Sequence, residues 1–164
     1  MSGVISVSPD MQSGIVGKFP TGQVIQVARG VLTSAHSTTS TSYVDTGLSA
    51  TFTTLGSGSS IFISAYFIGQ SNATAVHVGG NWNLDRNGTA VSAPQGDSFY
   101  INDGNSNAWN YSTYCNIQML DQAALAGGTA ITYKLQSRAR ASGPTLKTGH
   151  NGDDSFMTIF EIEV

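Results

Sequence analysis

The side chains that most often carry out chemistry are few in this sequence, and they are scattered along it. The three histidines, His36, His77 and His150, lie in unrelated segments. A protein metal site needs several ligands held at a fixed spacing, and no such cluster is visible. We therefore interpret each histidine as a solvated or hydrogen-bonded side chain. The sequence predicts no metal site.

Acidic residues and serines offer weak alternatives. Residues 103–107 and 151–154 contain the oxygen ligands that calcium prefers, but the first segment lacks the glycine and glutamate that complete an EF-hand loop, so both favour polar turns. Residues 56–60 are a flexible turn without the Gly-x-Ser-x-Gly pattern of a serine nucleophile. Four aspartates could meet in space as a glycosidase pair, although their spacing does not favour it: Asp85, Asp97, Asp103 and Asp121. We predict that the chain is not an enzyme and needs no cofactor.

Aromatic residues are the more suggestive group. Trp82, Trp109, Tyr111 and Tyr114 share one region with Phe99 and Tyr100, and this region is rich in Asn, Gly and Ser. Aromatic rings beside amides can bind a sugar, but they also form protein cores and oligomer interfaces. The four residues are therefore candidates either for glycan contact or for an interface.

Composition excludes several classes of partner. Charged residues make up 10% of the 164 residues and the net charge is −3, so a nucleic-acid partner is not expected. The densest cationic stretch is interpreted as a solvated strand face and loop, with an anion contact as the alternative: Lys134, Arg138, Arg140 and Lys147. No apolar run is long enough for a membrane helix, and no secretory signal is visible. Cys115 is the single cysteine, so no intramolecular disulfide is possible. We therefore expect the protein to be made in a reducing cytoplasm and kept or assembled there.

The elements that must position these residues are short strands. Apolar and hydroxyl residues alternate over 48–53 and 129–138, and Asn87-Gly88 is a strong hairpin signal. Residues 60–69 are apolar on both faces, one of which carries Phe62, Tyr66 and Ile68, and this pattern predicts a central strand covered on both sides. Alternation over 155–164 predicts a closing strand with Phe156 and Phe160 on one face. Gly30 predicts a bulge or bend. Eight or nine strands without a helix predict an all-β fold, an antiparallel two-sheet β-sandwich of jelly-roll type.

Residues 1–22 differ from the rest. Glycines and prolines interrupt them, and small apolar residues stand between. This segment is too apolar for a free linker, and its glycines and prolines interrupt it too often for a long strand. We therefore predict an extended N-terminal arm followed by one sandwich domain over 23–164. The residues of the arm expected to bind a capsid or a neighbouring subunit are Val4, Ile5, Val7, Ile15, Val16 and Phe19.

Several segments, taken in order, resemble a bacteriophage virion domain found in tail fibre-like and capsid decoration proteins. The segment Ser-Thr-Ser-Tyr-Val-Asp-Thr-Gly-Leu at 40–48 resembles its opening, and 20–27 its lead-in strand. Residues 84–91 resemble its Leu-x-Arg-x-Gly hairpin, and Met-Leu-Asp at 119–121 its Tyr-Leu-Asp. The strands at 129–136 and 156–163 resemble its Thr-Tyr-x-Val and closing strands.

This resemblance implies a jelly-roll module that commonly forms trimers and has no catalytic residues. In tail fibres the module usually ends a long chain, whereas here 22 residues precede it. We therefore expect a head decoration (cement) protein on the outer surface of the virion, assembled in the host cytoplasm. Its expected partners are two further copies, as a homotrimer, and the major capsid protein. The alternative is a tail fibre or receptor-binding protein that recognises host surface glycan.

Overall fold

Antiparallel strands, joined by turns and loops, are the regular secondary structure of the described part of the chain. The computed structural model describes residues 20–73, 77–92, 99–102, 109–149 and 155–164. These residues contain no helix, and therefore none that could cross a membrane. The strands are β1 Val24–Leu32, β2 His36–Thr38, β3 Val44–Thr53, β4 Ser60–Ala73, β5 His77–Arg86, β6 Thr89–Ser92, β7 Phe99–Asn102, β8 Trp109–Asp121, β9 Ala130–Ala139, β10 Thr145–Thr148 and β11 Ser155–Ile162.

The strands form two sheets. The six-stranded sheet has the order β1-β11-β4-β10-β2, and β8 pairs with the other edge of β4. The five-stranded sheet has the order β3-β9-β5-β6, and β7 also pairs with β5. All of these pairs are antiparallel, and buried residues of both sheets form one core. The prediction of an all-β, two-sheet antiparallel fold is confirmed.

Strand β4 is the centre of the six-stranded sheet. Its inner face carries Ile61, Ile63, Ala65 and Phe67, each 0% exposed. The prediction that its outer face is also covered holds for Ile68, which is 5% exposed, but not for Phe62 and Tyr66, which are only half-buried. The inner face therefore packs on the five-stranded sheet, whereas the outer face remains accessible.

Two strands were absent from the sequence prediction. β2 and β10 have three and four residues, and such short segments carry little periodic signal. β11 pairs with β4 up to Tyr66, and β10 then continues along β4 from Gly69. Pairing with a long neighbour therefore specifies these strands more than their own sequence does.

Backbone geometry confirms the predicted hairpin and corrects the expectation for Gly30. Asn87 and Gly88 have φ angles of 49° and 90°, which are the signs that a type I′ turn requires. Pairing of β1 with β11 runs through Gly30 without a bulge. Glycine is needed there for a different reason, because a Cβ atom would lie 1.7 Å from the carbonyl oxygen of Ser49 on the opposite sheet.

Three polar side chains connect the two sheets at one end of the core. Asp121 on β8 accepts hydrogen bonds from Arg86 on β5 and from the Tyr133 hydroxyl on β9, the latter at 2.8 Å. Burial raises the pKa of Tyr133 well above its ordinary value, and the hydrogen bond to Asp121 adds to this effect. Both partners are needed, because removal of either would leave a buried charge of Asp121 or Arg86, or the hydroxyl of Tyr133, without its partner.

A second inter-sheet contact depends on a glycine. Trp82 on β5 is 1% exposed, its ring packs against Phe67 at 5.2 Å between centroids, and its indole N–H donates to Oγ1 of Thr148 at 2.8 Å. A Cβ atom at Gly69 would lie 2.6 Å from Cη2 of Trp82. The absence of a side chain at Gly69 therefore makes room for the indole.

We predict that Gly69→Ala destabilises the fold by about 1–3 kcal/mol, because the added methyl group overpacks the Trp82 site. Urea denaturation followed by tryptophan fluorescence measures this change. The control is Ser64→Ala on the outer face of the same strand, expected to stay within about 0.5 kcal/mol. Equal stabilities of the two variants would contradict this account of Gly69.

Candidate functional site

The described residues offer little reactive chemistry. They contain no group of three or more His, Cys, Asp or Glu side chains that could hold a metal ion. Burial raises the pKa of the Cys115 thiol, so the thiolate that would act as a nucleophile is scarce at neutral pH. Burial also lowers the pKa of His36, an effect that the nearby Asp45 carboxylate partly offsets. These groups do not form a catalytic arrangement with one another.

The cationic stretch singled out in the sequence is engaged in local surface contacts. Nζ of Lys134 lies 2.7 Å from Oδ2 of Asp45, and this hydrogen bond is the main reason why the pKa of Asp45 is lowered. The guanidinium of Arg138 lies 4.8 Å from the ring centroid of Tyr43. Both contacts favour the interpretation as a solvated strand face over that of an anion site.

The outer surface of the six-stranded sheet is the most distinctive feature of the molecule. Alternate residues of β1, β11, β4 and β8 point away from the core, and most of them are aromatic or aliphatic. We call this surface the aromatic face. Its apolar members are Val27, Val31, Phe62, Tyr66, Tyr114, Leu120, Phe156 and Phe160.

Strand register arranges the aromatic face in rows that cross the sheet. Each row takes one residue from each of the four strands β1, β11, β4 and β8. The first row is apolar throughout, and consists of Val27, Phe160, Phe62 and Leu120. The second row is polar, and consists of Arg29, Thr158, Ser64 and Gln118. The third row is mostly apolar, and consists of Val31, Phe156, Tyr66 and Asn116.

The rings of the aromatic face contact one another. The centroids of Phe62 and Phe160 are 6.0 Å apart, and those of Tyr66 and Phe156 are 5.5 Å apart. Tyr66 also stacks on Tyr114, with centroids 5.9 Å apart and an interplanar angle of 16°. Such contacts between cross-strand neighbours hold the rings in two groups, one on each side of the polar second row.

Solvent reaches much of the aromatic face. The exposed fractions are 56% for Val27, 47% for Val31, 70% for Tyr114 and 48% for Leu120. Isolated exposed apolar side chains are common on proteins, whereas two neighbouring apolar rows form a larger surface of the kind that binds a partner. The aromatic face is therefore the leading candidate for a functional site.

A pocket of about 330 Å³ adjoins strand β8. Tyr111 and Tyr114 line it together with the edges of Phe67 and Trp82. Tyr111 is 43% exposed, whereas the buried Trp82 can contribute little to a ligand contact. Tyr114 lies on the outer face of the sheet and Tyr111 on the opposite face of β8, so the pocket follows the edge of this strand.

The structure describes only some of the site residues that were predicted from the sequence. Trp82, Tyr111 and Tyr114 do converge on the pocket. Trp109 occupies the first position of β8, opposite Ala73, but its side chain lies outside the described residues. The predicted arm residues also lie outside them: Val4, Ile5, Val7, Ile15, Val16 and Phe19. So do the two calcium-like loops, at 103–107 and 151–154.

Sequence reasoning identified parts of the aromatic face without recognising the whole. It placed Phe62 and Tyr66 together on one side of β4, and Phe156 and Phe160 together on one side of β11. The missing information was that these two sides lie on the same outward surface.

Buried Glu161 on the inner side of β11 reverses the usual expectation that carboxylates face solvent. It is stabilised there by the backbone N–H groups of Leu55 and Gly56.

Comparisons with known proteins do not assign the chain to a family. No family model matches it, and no curated protein matches it. Among solved structures, the crystal structure of dimeric latent PorU from Porphyromonas gingivalis aligns at a TM-score of 0.34 with 11% identity. The alignment covers 89% of this chain and 14% of that chain, so this chain spans a small part of PorU. A likeness at this level carries no argument about fold or function.

Proposed function

We propose that this chain is a structural protein of a bacteriophage virion, a head decoration protein that binds the outer capsid and stabilises contacts between capsomers. The observation that carries the proposal is the aromatic face, a broad apolar surface on a fold whose described residues show no catalytic cluster. Such a surface suits permanent association better than the turnover of a substrate. The resemblance of the sequence to virion domains suggests that the assembly is a virus particle.

The strand order supports the jelly-roll part of this proposal. One sheet contains the order β1-β11-β4-β8, and the facing sheet contains β3-β9-β5-β6. This alternation of eight strands between two sheets supports the proposed jelly roll, an architecture widespread among viral capsid domains. β2 and β10 are additions beside β4, and β7 is an addition beside β5.

In the proposed mechanism three copies form a homotrimer, and each copy extends its residues 1–22 as an arm over the major capsid protein. The arm contributes small apolar contacts through residues such as Val4, Ile15 and Phe19. Each contact is weak, but three arms on one trimer bind together, so effective concentration supplies the strength. Nucleic acid and membrane take no part, and no cofactor is needed.

Copy number in the particle tests the proposal. We expect quantitative mass spectrometry of purified virions to find on the order of hundreds of copies, because a decoration protein repeats over a closed symmetric shell. A few to tens of copies would assign the chain to the tail instead. Absence from the particle would overturn the proposal.

Deletion of residues 2–19 tests the arm. We expect the truncated protein to keep its circular dichroism spectrum and melting temperature, because β1 begins only at Val24. We expect it to lose binding to capsids that lack the decoration protein, measured by co-sedimentation. Full retention of binding would contradict the role of the arm, and the intact chain serves as the control.

A second candidate function is favoured by the pocket beside β8. A tail fibre or receptor-binding protein would recognise host surface glycan, and Tyr111, which lines the pocket and is 43% exposed, would stack on a sugar ring. Specific sugar binding together with a low copy number would support this function over capsid decoration.

We predict that, if this second function holds, a glycan array finds a specific sugar and Tyr111→Ala weakens its binding about tenfold, because a stacking surface is lost. Leu120→Ala is the control, since Leu120 is similarly exposed on the same strand and does not line the pocket. No binding by the intact protein, or equal binding by both variants, would contradict the glycan site.

A further inference from the structure

We infer that copies of this chain associate by burying their aromatic faces against one another. The inference rests on the proposed function, since that function makes the chain a self-associating virion protein, and it names the surface that joins the copies. The proposed occupant of the aromatic face is thus a second copy of the same chain, rather than the capsid or the arm.

The charge of the aromatic face suits a second copy. Arg29 is the one charged side chain in the three rows, and its guanidinium already lies 4.6 Å from the ring centroid of Phe156. Lys147 on β10 lies beyond these rows, opposite Gln70. A nearly neutral face gives no charge pattern by which a different partner would be selected. Two such faces can meet without burying an unpaired carboxylate.

The edge of the sheet beside the aromatic face points to the same occupant. Among the described residues β8 forms strand pairing only with β4, so its other edge is the outer edge of the described sheet. Natural edge strands are usually guarded by lysine, proline or a bulge. β8 spans 13 residues, contains no proline, and its one charged residue is the buried Asp121 at its end. A strand of this kind is expected to be covered in the working assembly.

The dimensions of the surface are compatible with this association. Four strands and the seven residues from Tyr114 to Leu120 give a face roughly 19 Å wide and roughly 20 Å long, or roughly 400 Å² in plan. Patches of that size on soluble proteins are commonly functional. A standard interface buries about 800 Å² per partner. The aromatic face would therefore be the interface core, with the β8 edge and Tyr111 forming its rim.

The test is the mass of the purified full-length chain in solution, measured by sedimentation equilibrium across a concentration series. We expect a homo-oligomer, and we expect Val27→Lys combined with Leu120→Lys to weaken its association at least roughly 100-fold, because two lysines would be buried without partners. Both positions are about half exposed, so the double variant should fold, and its circular dichroism spectrum and melting temperature verify this.

Leu55→Lys is the matched control. Leu55 is 50% exposed, lies outside the aromatic face, and receives the same charge, so this variant should keep the mass of the intact chain. An intact chain that stays monomeric at high concentration would overturn the inference, and so would an oligomer that the double variant leaves unchanged. Association that arises only after residues 2–19 are deleted would also overturn it, because the arm would then be the occupant.

The outcomes separate this inference from the proposed function. If the chain oligomerises through the aromatic face but is absent from virions, the proposed function fails and the inference stands. If it is abundant in virions and its association does not respond to the double variant, the inference fails and the proposed function stands.

Discussion

A strand that is apolar on both faces sets the main constraint on this structure. Residues on the inner face of β4 are fully buried against the five-stranded sheet, which accounts for the sandwich. Residues on its outer face, Phe62 and Tyr66, have neighbours within their own sheet but no second layer among the described residues. Hydrophobic burial stabilises the fold on one side of the strand. The apolar surface on the other side remains available for association.

Polar groups in the core determine how the two sheets fit together. Asp121 connects β8 to β5 and β9, and the indole of Trp82 reaches across to Thr148. Glu161, buried on the inner face of β11, accepts hydrogen bonds from the backbone N–H groups of Leu55 and Gly56 and so holds the segment between β3 and β4. Hydrogen-bonded polar groups inside a core specify one arrangement of the layers, because other arrangements would leave them unsatisfied.

Sequence patterns predicted the fold class and most strands, because alternation and the Asn87-Gly88 turn act locally. The alternation over β9 places Ile131, Tyr133 and Leu135 inside, as predicted. The strands β2 and β10 could not be predicted in the same way, since their pairing depends on neighbours that are distant in the chain. The same limit applies to the candidate site. Phe62 and Phe160 are 98 positions apart, and only the pairing of β4 with β11 makes them neighbours.

The hairpin at Asn87–Gly88 has a practical consequence for engineering. Its tip is exposed, it belongs to the five-stranded sheet, and the side chain of Asn87 anchors it to β9 through the backbone N–H of Thr132 at 2.8 Å. Loop tips of this kind tolerate inserted sequence. A foreign epitope grafted after Gly88 would project from the sheet that does not carry the aromatic face, so antibodies could reach it while the aromatic face is buried against a partner.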